Sequence, residues 1–302
     1  VACTFRIAPV GGTTSKFYCE LPGGELVKVK YGSINPELHA EVAATRLLTA
    51  LGFGADRMYV VKRVRCAGCP TFPFQALKCL KTIDMKAACF PGGIDTTRVV
   101  NFDTAVIERR LEGRKIEGTP DQGWAWYELN KVDDARGGSP LAELDALRLL
   151  AVVLAHWDNK SENQRLICPP DAERAGGGCA RPLAIVQDVG ATFGPKKVDL
   201  HNWRKYPVWT DPAACAISMK SLPFAGATFV DWRISEGGRT LLLGLLEQLS
   251  DQQLRDLFKE SHITDYDQVS AEARSADAWV AAFKEKVAQI RTGGPCRPVT
   301  AS

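Results

Sequence analysis

His156-Trp157-Asp158-Asn159-Lys160-Ser161-Glu162-Asn163 gathers a carboxylate, an ammonium and a carboxamide into one short stretch. Phosphoryl transfer uses such a set. A carboxylate orients the attacking hydroxyl and takes its proton, an amide oxygen holds a metal ion, and a cation neutralises the group being transferred. A tight loop would let Asp158 and Asn163 converge on one site with Lys160 beside them. Further along, Ile185-Val186-Gln187-Asp188-Val189-Gly190 reads as an apolar strand ending in Asp-x-Gly. Its glycine would permit a sharp turn that aims the Asp188 carboxylate at a divalent cation. Either motif alone is common, one as a helix-end turn and the other as a strand-end turn; the two in this order are not.

These residues need elements to hold them. Leu141–His156 carries Leu144, Leu147, Leu150, Val153 and Leu154 on one side, the pattern of a buried helix feeding straight into the octet. Residues 183–186 form a short strand. Upstream, residues 4–8 and 16–20 alternate as strands around Gly11-Gly12-Thr13-Thr14, and Leu21-Pro22-Gly23-Gly24 turns into a third strand over residues 25–31. A helix follows over residues 36–51, with Asn35 as cap, Pro36 in the first turn and Gly52 as stop. Residues 58–64 and 104–109 are further strands. Residues 70–100 show no pattern and are expected to be irregular. Residues 123–132 should be helical, 133–140 a polar linker and 168–182 a loop. The tail reads as helices over 240–249, 251–261 and 277–291.

The His-x-Asp-x-x-x-x-Asn spacing, followed by a strand and Asp-x-Gly, resembles the protein-kinase-like superfamily. In flavour the chain is similar to HipA-like, spore-coat CotH-like and secretory-pathway kinases, over residues 3–290. The resemblance implies an α+β fold of two lobes, β-rich over residues 1–117 and α-rich over 118–302. It implies ATP and Mg²⁺ (or Mn²⁺) as cofactors and a hydroxyl-bearing acceptor, a protein Ser/Thr first and a lipid or small molecule next. Nucleotidyl transfer on the same fold and a binding scaffold without turnover are the alternatives.

By the same resemblance Asp158 and Lys160 are catalytic and Asn163 and Asp188 hold the metal. His156 braces the loop. Val27-Lys28-Val29-Lys30 supplies the phosphate lysine, with Lys30 preferred to Lys28, and the helix supplies its partner, Glu41 preferred to Glu37. Gly11 and Gly12 would cover the phosphates. Glu108, Arg109 and Arg110, following Ile107, would form the hinge that grips adenine through its backbone, with Tyr127-Glu128 as a rival. The departures are clear too. The full Gly-x-Gly-x-x-Gly is absent, Trp157 stands where a catalytic-loop Arg would pair with a phosphorylated segment, and no Ala-Pro-Glu follows Asp188. Regulation by loop phosphorylation and recognition of a standard peptide are therefore not expected.

Composition excludes other classes. With 302 residues, 45% apolar and 24% charged, the chain is an ordinary globular one and neither disordered nor fibrous. The longest near-apolar run, Leu149–Ala155, is far short of the about 18–20 residues of a membrane helix. The first residues show no signal-peptide pattern and no initiator Met, so a trimmed or processed product is expected. A net charge of +3 is too mild for a nucleic-acid partner, and a monomer is expected. The excess sits in the first half, with 18 basic and 13 acidic residues up to position 132, which suits an anionic ligand. Trp203, Trp209 and Trp232 are expected in the core rather than in an acceptor groove.

Ten cysteines are many for a cytosolic chain, and even in number. Cys3 and Cys19 flank the first hairpin, and Cys168 and Cys179 bracket a Pro/Gly-rich excursion that a bond would close. Cys66 and Cys69 form a lone Cys-x-x-Cys; as a zinc site it lacks a second pair to complete four ligands. Paired cysteines point to a secreted, periplasmic or secretory-pathway protein, free thiols to a cytoplasmic one.

Overall fold

The computed structural model describes residues 1–32, 35–83, 85–91, 93–116, 122–223, 228–265 and 270–296. The boundary expected at 117/118 lies outside them. The architecture is mixed α and β. Five strands, β1 (Ala2–Arg6), β2 (Lys16–Glu20), β3 (Leu26–Lys30), β5 (Arg57–Ala67) and β6 (Val99–Arg109), close into a barrel in the order β1-β2-β3-β6-β5. All neighbours are antiparallel except the closing pair, β1 with β5. Phe5, Phe17, Val27, Val29, Val64 and Phe102 fill the inside, the apolar half of each strand's alternation.

Helix α1 (Pro36–Ala50) starts where the sequence chemistry places it. Asn35 Oδ1 accepts a 3.0 Å hydrogen bond from the Glu37 N–H, and Pro36 follows. Nearly every α1 side chain from Leu38 to Leu48 is buried, so its position is fixed on all sides. The short strand β4 (Gly54–Ala55) then leads into β5.

The segment expected to be irregular is not. Residues 70–100 contain α2 (Pro73–Ile83) and α3 (Lys86–Cys89), joined by the Cys79–Cys89 disulfide. Phe74 and Leu77 anchor α2 on the barrel core. Conversely, the helix expected over 123–132 shrinks to a 3-10 turn at Trp126–Lys131, because Trp124 and Trp126 turn inward and fix the chain by burial. Strands β5 and β6 each run longer than their apolar cores suggested, since their outer ends pair with each other rather than stopping at the polar residues.

The remaining chain is built on α4 (Leu141–Val153), whose residues 144–153 are all buried, and on α6 (Glu236–Glu247), α7 (Asp251–Glu260) and α8 (Ala276–Thr292), with the short α5 (Leu200–Lys205) among them. Trp203, Trp279, Phe193, Phe258 and Phe283 form the centre of this larger core. Trp209 is buried as well and Trp232 partly so. The sheet below the cleft has the order β4-β9-β8-β7, from β7 (Arg114–Lys115), β8 (Gln164–Cys168) and β9 (Leu183–Val186). A small two-stranded sheet, β10 (Ala216–Ile217) with β11 (Trp232–Arg233), completes it.

All ten cysteines are paired: Cys3–Cys19, Cys66–Cys69, Cys79–Cys89, Cys168–Cys179 and Cys215–Cys296, with Cα–Cα separations of 5.5–5.7 Å. The free-thiol alternative is thereby set aside, and the five bonds are consistent with an oxidising compartment. Among the described residues no helix is long and apolar enough to cross a membrane.

Candidate active site

A cleft of about 800 Å³ opens between the barrel and the β8–β9 sheet. Its loop wall is set by α4. The helix ends at Val153, Ala155 takes a left-handed φ of 53°, and the octet begins. The Trp157 N–H donates to the Ala191 carbonyl at 3.0 Å and the Phe193 N–H to Leu154 at 2.8 Å, tying the octet to the segment after Asp188. Strands β8 and β9 pair antiparallel, Gln164 opposite Val186, and the Gln187 N–H donates to the Asn163 carbonyl at 2.8 Å. That register brings Asn163 and Asp188 to the same edge.

Asn163 Nδ2 donates to the Asp158 carbonyl at 2.7 Å, which fixes the side-chain amide against the Asp158 loop. Lys160 Nζ lies 3.1 Å from Asp158 Oδ1, yet that oxygen accepts no hydrogen bond. The Asp188 side chain is 51% exposed, and its φ of 51° holds it in a backbone region costly for an aspartate. Here the expectation for Gly190 needs correcting. The positive φ belongs to Asp188 itself, and Gly190 is needed for space, since a Cβ there would lie 2.9 Å from the Glu37 carbonyl. The glycine lets α1 rest on this turn.

His156 is fully buried beside the Trp126 ring, with no hydrogen bond to either ring nitrogen. Burial pushes its pKa down to about 4, so the imidazole is neutral at pH 7. The backbone bonds of its neighbours carry the bracing that its position suggested.

The barrel wall is denser in charge. Lys30 Nζ donates to Glu41 Oε1 and Oε2 at 2.5 and 2.6 Å, and sits 3.1 Å from Glu108 Oε2 and 3.5 Å from Asp188 Oδ1. Lys28 turns to Glu108 instead, its partner across the β3–β6 register. Glu37 accepts from Thr14 Oγ1 at 3.5 Å. Burial works against the Lys30 ammonium, but Glu41, Glu108 and Asp188 hold its pKa well above the ordinary value. Burial raises Glu41 to about 7 against the pull of Lys30. Glu108, though equally buried, is held well below the usual carboxylate range by Lys28 and Lys30. Desolvation opposes ionisation of Asp188, yet Lys30, Lys16 and Lys28 keep its pKa low. Glu37 is raised, by burial and then by Asp188.

Gly11 and Gly12 line the cleft, Gly12 with a φ of 71°. The expected hinge divides. Glu108 and Arg110 line the cleft, but Glu108 acts through its carboxylate and Arg110 turns to the Tyr18 hydroxyl at 2.9 Å. The Arg109 side chain points away, paired with Glu25 on the surface, because successive strand residues face opposite sides. The rival pair is elsewhere: Tyr127 is exposed and Glu128 caps the 3-10 turn by accepting from the Ala125 N–H.

Sequence reasoning missed three participants. Lys16, 8% exposed, opens β2 opposite Lys30 and lines the cleft, with no ion pair or hydrogen bond of its side chain to another of the described residues. Burial lowers its pKa, and Asp188 opposes the shift. Its signal was a lysine at the first strand position after a glycine turn. Lys81, from the segment expected to be irregular, reaches the Gly11 end of the cleft. Buried Asp56 receives the Leu111 N–H at 2.8 Å and the Gln187 side-chain amide, joining the chain after β6 to the strand before Asp188.

No family model matches the chain and no curated protein matches it. Among solved structures it is similar to the Helicobacter pylori proinflammatory kinase CtkA, with 10% identity and a TM-score of 0.48 over 96% of this chain and 94% of that one. It is also similar to HipA of Shewanella oneidensis MR-1, from a toxin–antitoxin complex with HipB and operator DNA. There the identity is 9% and the TM-score 0.36, over 94% of this chain and 65% of that one. At these values the chemistry rests on the cleft residues alone.

Proposed function

We propose that the chain is an ATP- and Mg²⁺-dependent phosphotransferase on a two-lobed kinase-like fold, with the five-stranded barrel above the cleft and the β4-β9-β8-β7 sheet with the later helices below it. Strands β4 and β7 thus join the lower lobe although they precede the boundary expected at 117/118. One observation carries the reading. A buried Lys30–Glu41 pair from the barrel lies 3.5 Å from Asp188, which the β8–β9 register sets beside Asn163 and the Asp158 loop.

Lys30 and Lys16 hold the phosphates, and Glu41 keeps Lys30 extended toward them. The Gly11-Gly12 turn covers them, and the chain from Glu108 to Leu111 meets the base through its backbone. Asp188 and Asn163 Oδ1 offer hard oxygen donors, which suits Mg²⁺. When bound, the ion neutralises charge on the transferring phosphoryl group. Asp158, whose side chain lines the cleft, orients the acceptor hydroxyl and takes its proton, and Lys160, 3.1 Å from its Oδ1, balances charge beside it. A protein Ser/Thr hydroxyl is the first acceptor to test, then a lipid or small molecule. Five disulfides favour a secretory or periplasmic setting.

The test is incubation with Mg²⁺ and ATP labelled at the α- or the γ-phosphate. Transfer of γ-label to the chain, a protein or water supports the assignment. Transfer of α-label points to nucleotidyl transfer, binding without transfer points to a scaffold, and no binding overturns the reading.

A further inference from the structure

Away from the cleft, two disulfides meet inside one end of the barrel. Cys3 on β1 stands opposite Cys66 on β5 in the closing parallel pair, and Cys19 reaches in from β2. Cys19 Sγ lies 3.7 Å from Cys66 Sγ, and the sulfurs of Cys3, Cys19 and Cys66 all fall within 4.8 Å of one another. The fourth, Cys69, is bonded to Cys66 across a turn in which Gly68 has a φ of 75°. All four are buried.

We propose that these four cysteines are also one tetrahedral zinc site, formed when the two disulfides are reduced. Zinc–sulfur bonds of about 2.3 Å put tetrahedral thiolates about 3.8 Å apart, the separation already present between Cys19 and Cys66. The Cys-x-x-Cys lacked a second pair in the sequence, and the barrel supplies it. Soft thiolates select zinc over the hard cations of the cleft.

The two states do different work. Neither disulfide crosses the β1–β5 seam: Cys3–Cys19 joins β1 to β2, and Cys66–Cys69 is local. That seam has three register pairs, Ala2–Arg65, Cys3–Cys66 and Thr4–Ala67. A zinc ion held by all four sulfurs would span it, so the barrel would be cross-linked in a reducing compartment as well as in an oxidising one. The chemistry balances. A phosphine or dithiol reductant gives two electrons to each disulfide, and each thiol formed takes up one proton. Zn²⁺ then displaces those four protons as four Zn–S bonds form. This inference does not depend on the phosphotransferase reading.

The experiment reduces the full chain anaerobically with a water-soluble phosphine, removes the reductant and titrates Co²⁺ and then Zn²⁺, with circular dichroism recorded throughout. One equivalent of Co²⁺ should give the intense d–d bands of a tetrahedral all-thiolate site, and Zn²⁺ should displace it while the strand signal persists. Oxidised chain should give no such bands. Cys19→Ser and Cys66→Ser should each weaken reduced-state binding by at least ~10-fold, and a Cys168→Ser/Cys179→Ser double variant should match wild type. X-ray absorption of the zinc form should show four sulfurs. Absence of a tetrahedral thiolate spectrum from reduced chain overturns the proposal. So does equal binding by Cys19→Ser and wild type, or binding seen only after the strand signal is lost.

Discussion

On the barrel wall of the cleft, Lys28, Lys30, Glu41 and Glu108 are all paired with one another before any ligand arrives. On the loop wall, Lys160 stands 3.1 Å from Asp158 Oδ1, and the Asp188 side chain is half exposed. Both walls are polar, but for different reasons. On the first, buried Lys30, Glu41 and Glu108 neutralise one another, since an unpaired ion in that setting is costly, while burial lowers the pKa of Lys16 beside them. The second leaves the Asp188 carboxylate half exposed, where water or a ligand can reach it. Removing a charge from the barrel wall should therefore cost stability and function together, and removing one from the loop wall should cost function alone.

The largest effect should come from Asp158→Ala. Turnover should fall on the order of 10²–10⁴-fold, the usual cost of a lost acid–base group, with nucleotide affinity and thermal stability near wild type. Asp188→Ala, by contrast, should lower nucleotide affinity as well as turnover, since it removes metal-binding charge. ATP titrations and initial rates on the two variants separate these roles; equal, near-wild-type rates in both would sink the assignment.

Lys30→Met crosses to the other wall. It should lower turnover on the order of 10²–10³-fold and also destabilise the fold by about 3–5 kcal/mol, because Glu41 is left buried without its cation. Urea unfolding of Lys30→Met beside Asp158→Ala tests the comparison directly. Two unchanged midpoints would show that the barrel wall is not held by its own charges.

His156 predicts a pH dependence. Its folded pKa is depressed from 6.5 to about 4, so the unfolded chain binds the extra proton between those values. Stability from this group is present above pH 6.5 and is lost as pH falls toward 4, by about 3 kcal/mol in all. Denaturation midpoints between pH 4 and 7 should decline for the wild type and flatten for His156→Gln.

Smaller changes lie outside the cleft. Replacing Cys168 and Cys179 by Ser should cost about 2–3 kcal/mol through the loop that their bond closes, read as a lower melting temperature. The Arg109–Glu25 pair is exposed, so Arg109→Ala should leave the melting temperature and ATP affinity near wild type. A marked loss of affinity in that variant would return its side chain to the nucleotide site.

The chain by itself determined whatever short-range periodicity and spacing encode. The apolar pattern of Leu141–His156 marks α4, though the helix stops at Val153, the Asn35-Pro36 start marks α1, and the strand at residues 183–186 matches β9, because apolar alternation and capping act over a few residues. The octet and the Asp-x-Gly were visible for the same reason. Their meeting was not, because it depends on the Gln164–Val186 register of β8 with β9, and β8 gave no signal of its own. Lys28 and Glu108 lie 80 positions apart and pair only once β3 and β6 are neighbours, which also decides that Lys30, not Lys28, faces Glu41. Helix α2 rests on the barrel through Phe74 and Leu77, with Ala76, Cys79 and Leu80 beside them, against a surface that exists only once the strands close. The four sulfurs at the barrel seam are likewise a product of closure: β1 and β5 are distant in sequence, and only the fold sets Cys3 opposite Cys66. Local chemistry names the residues, while burial and strand register, which act between distant segments, choose their partners.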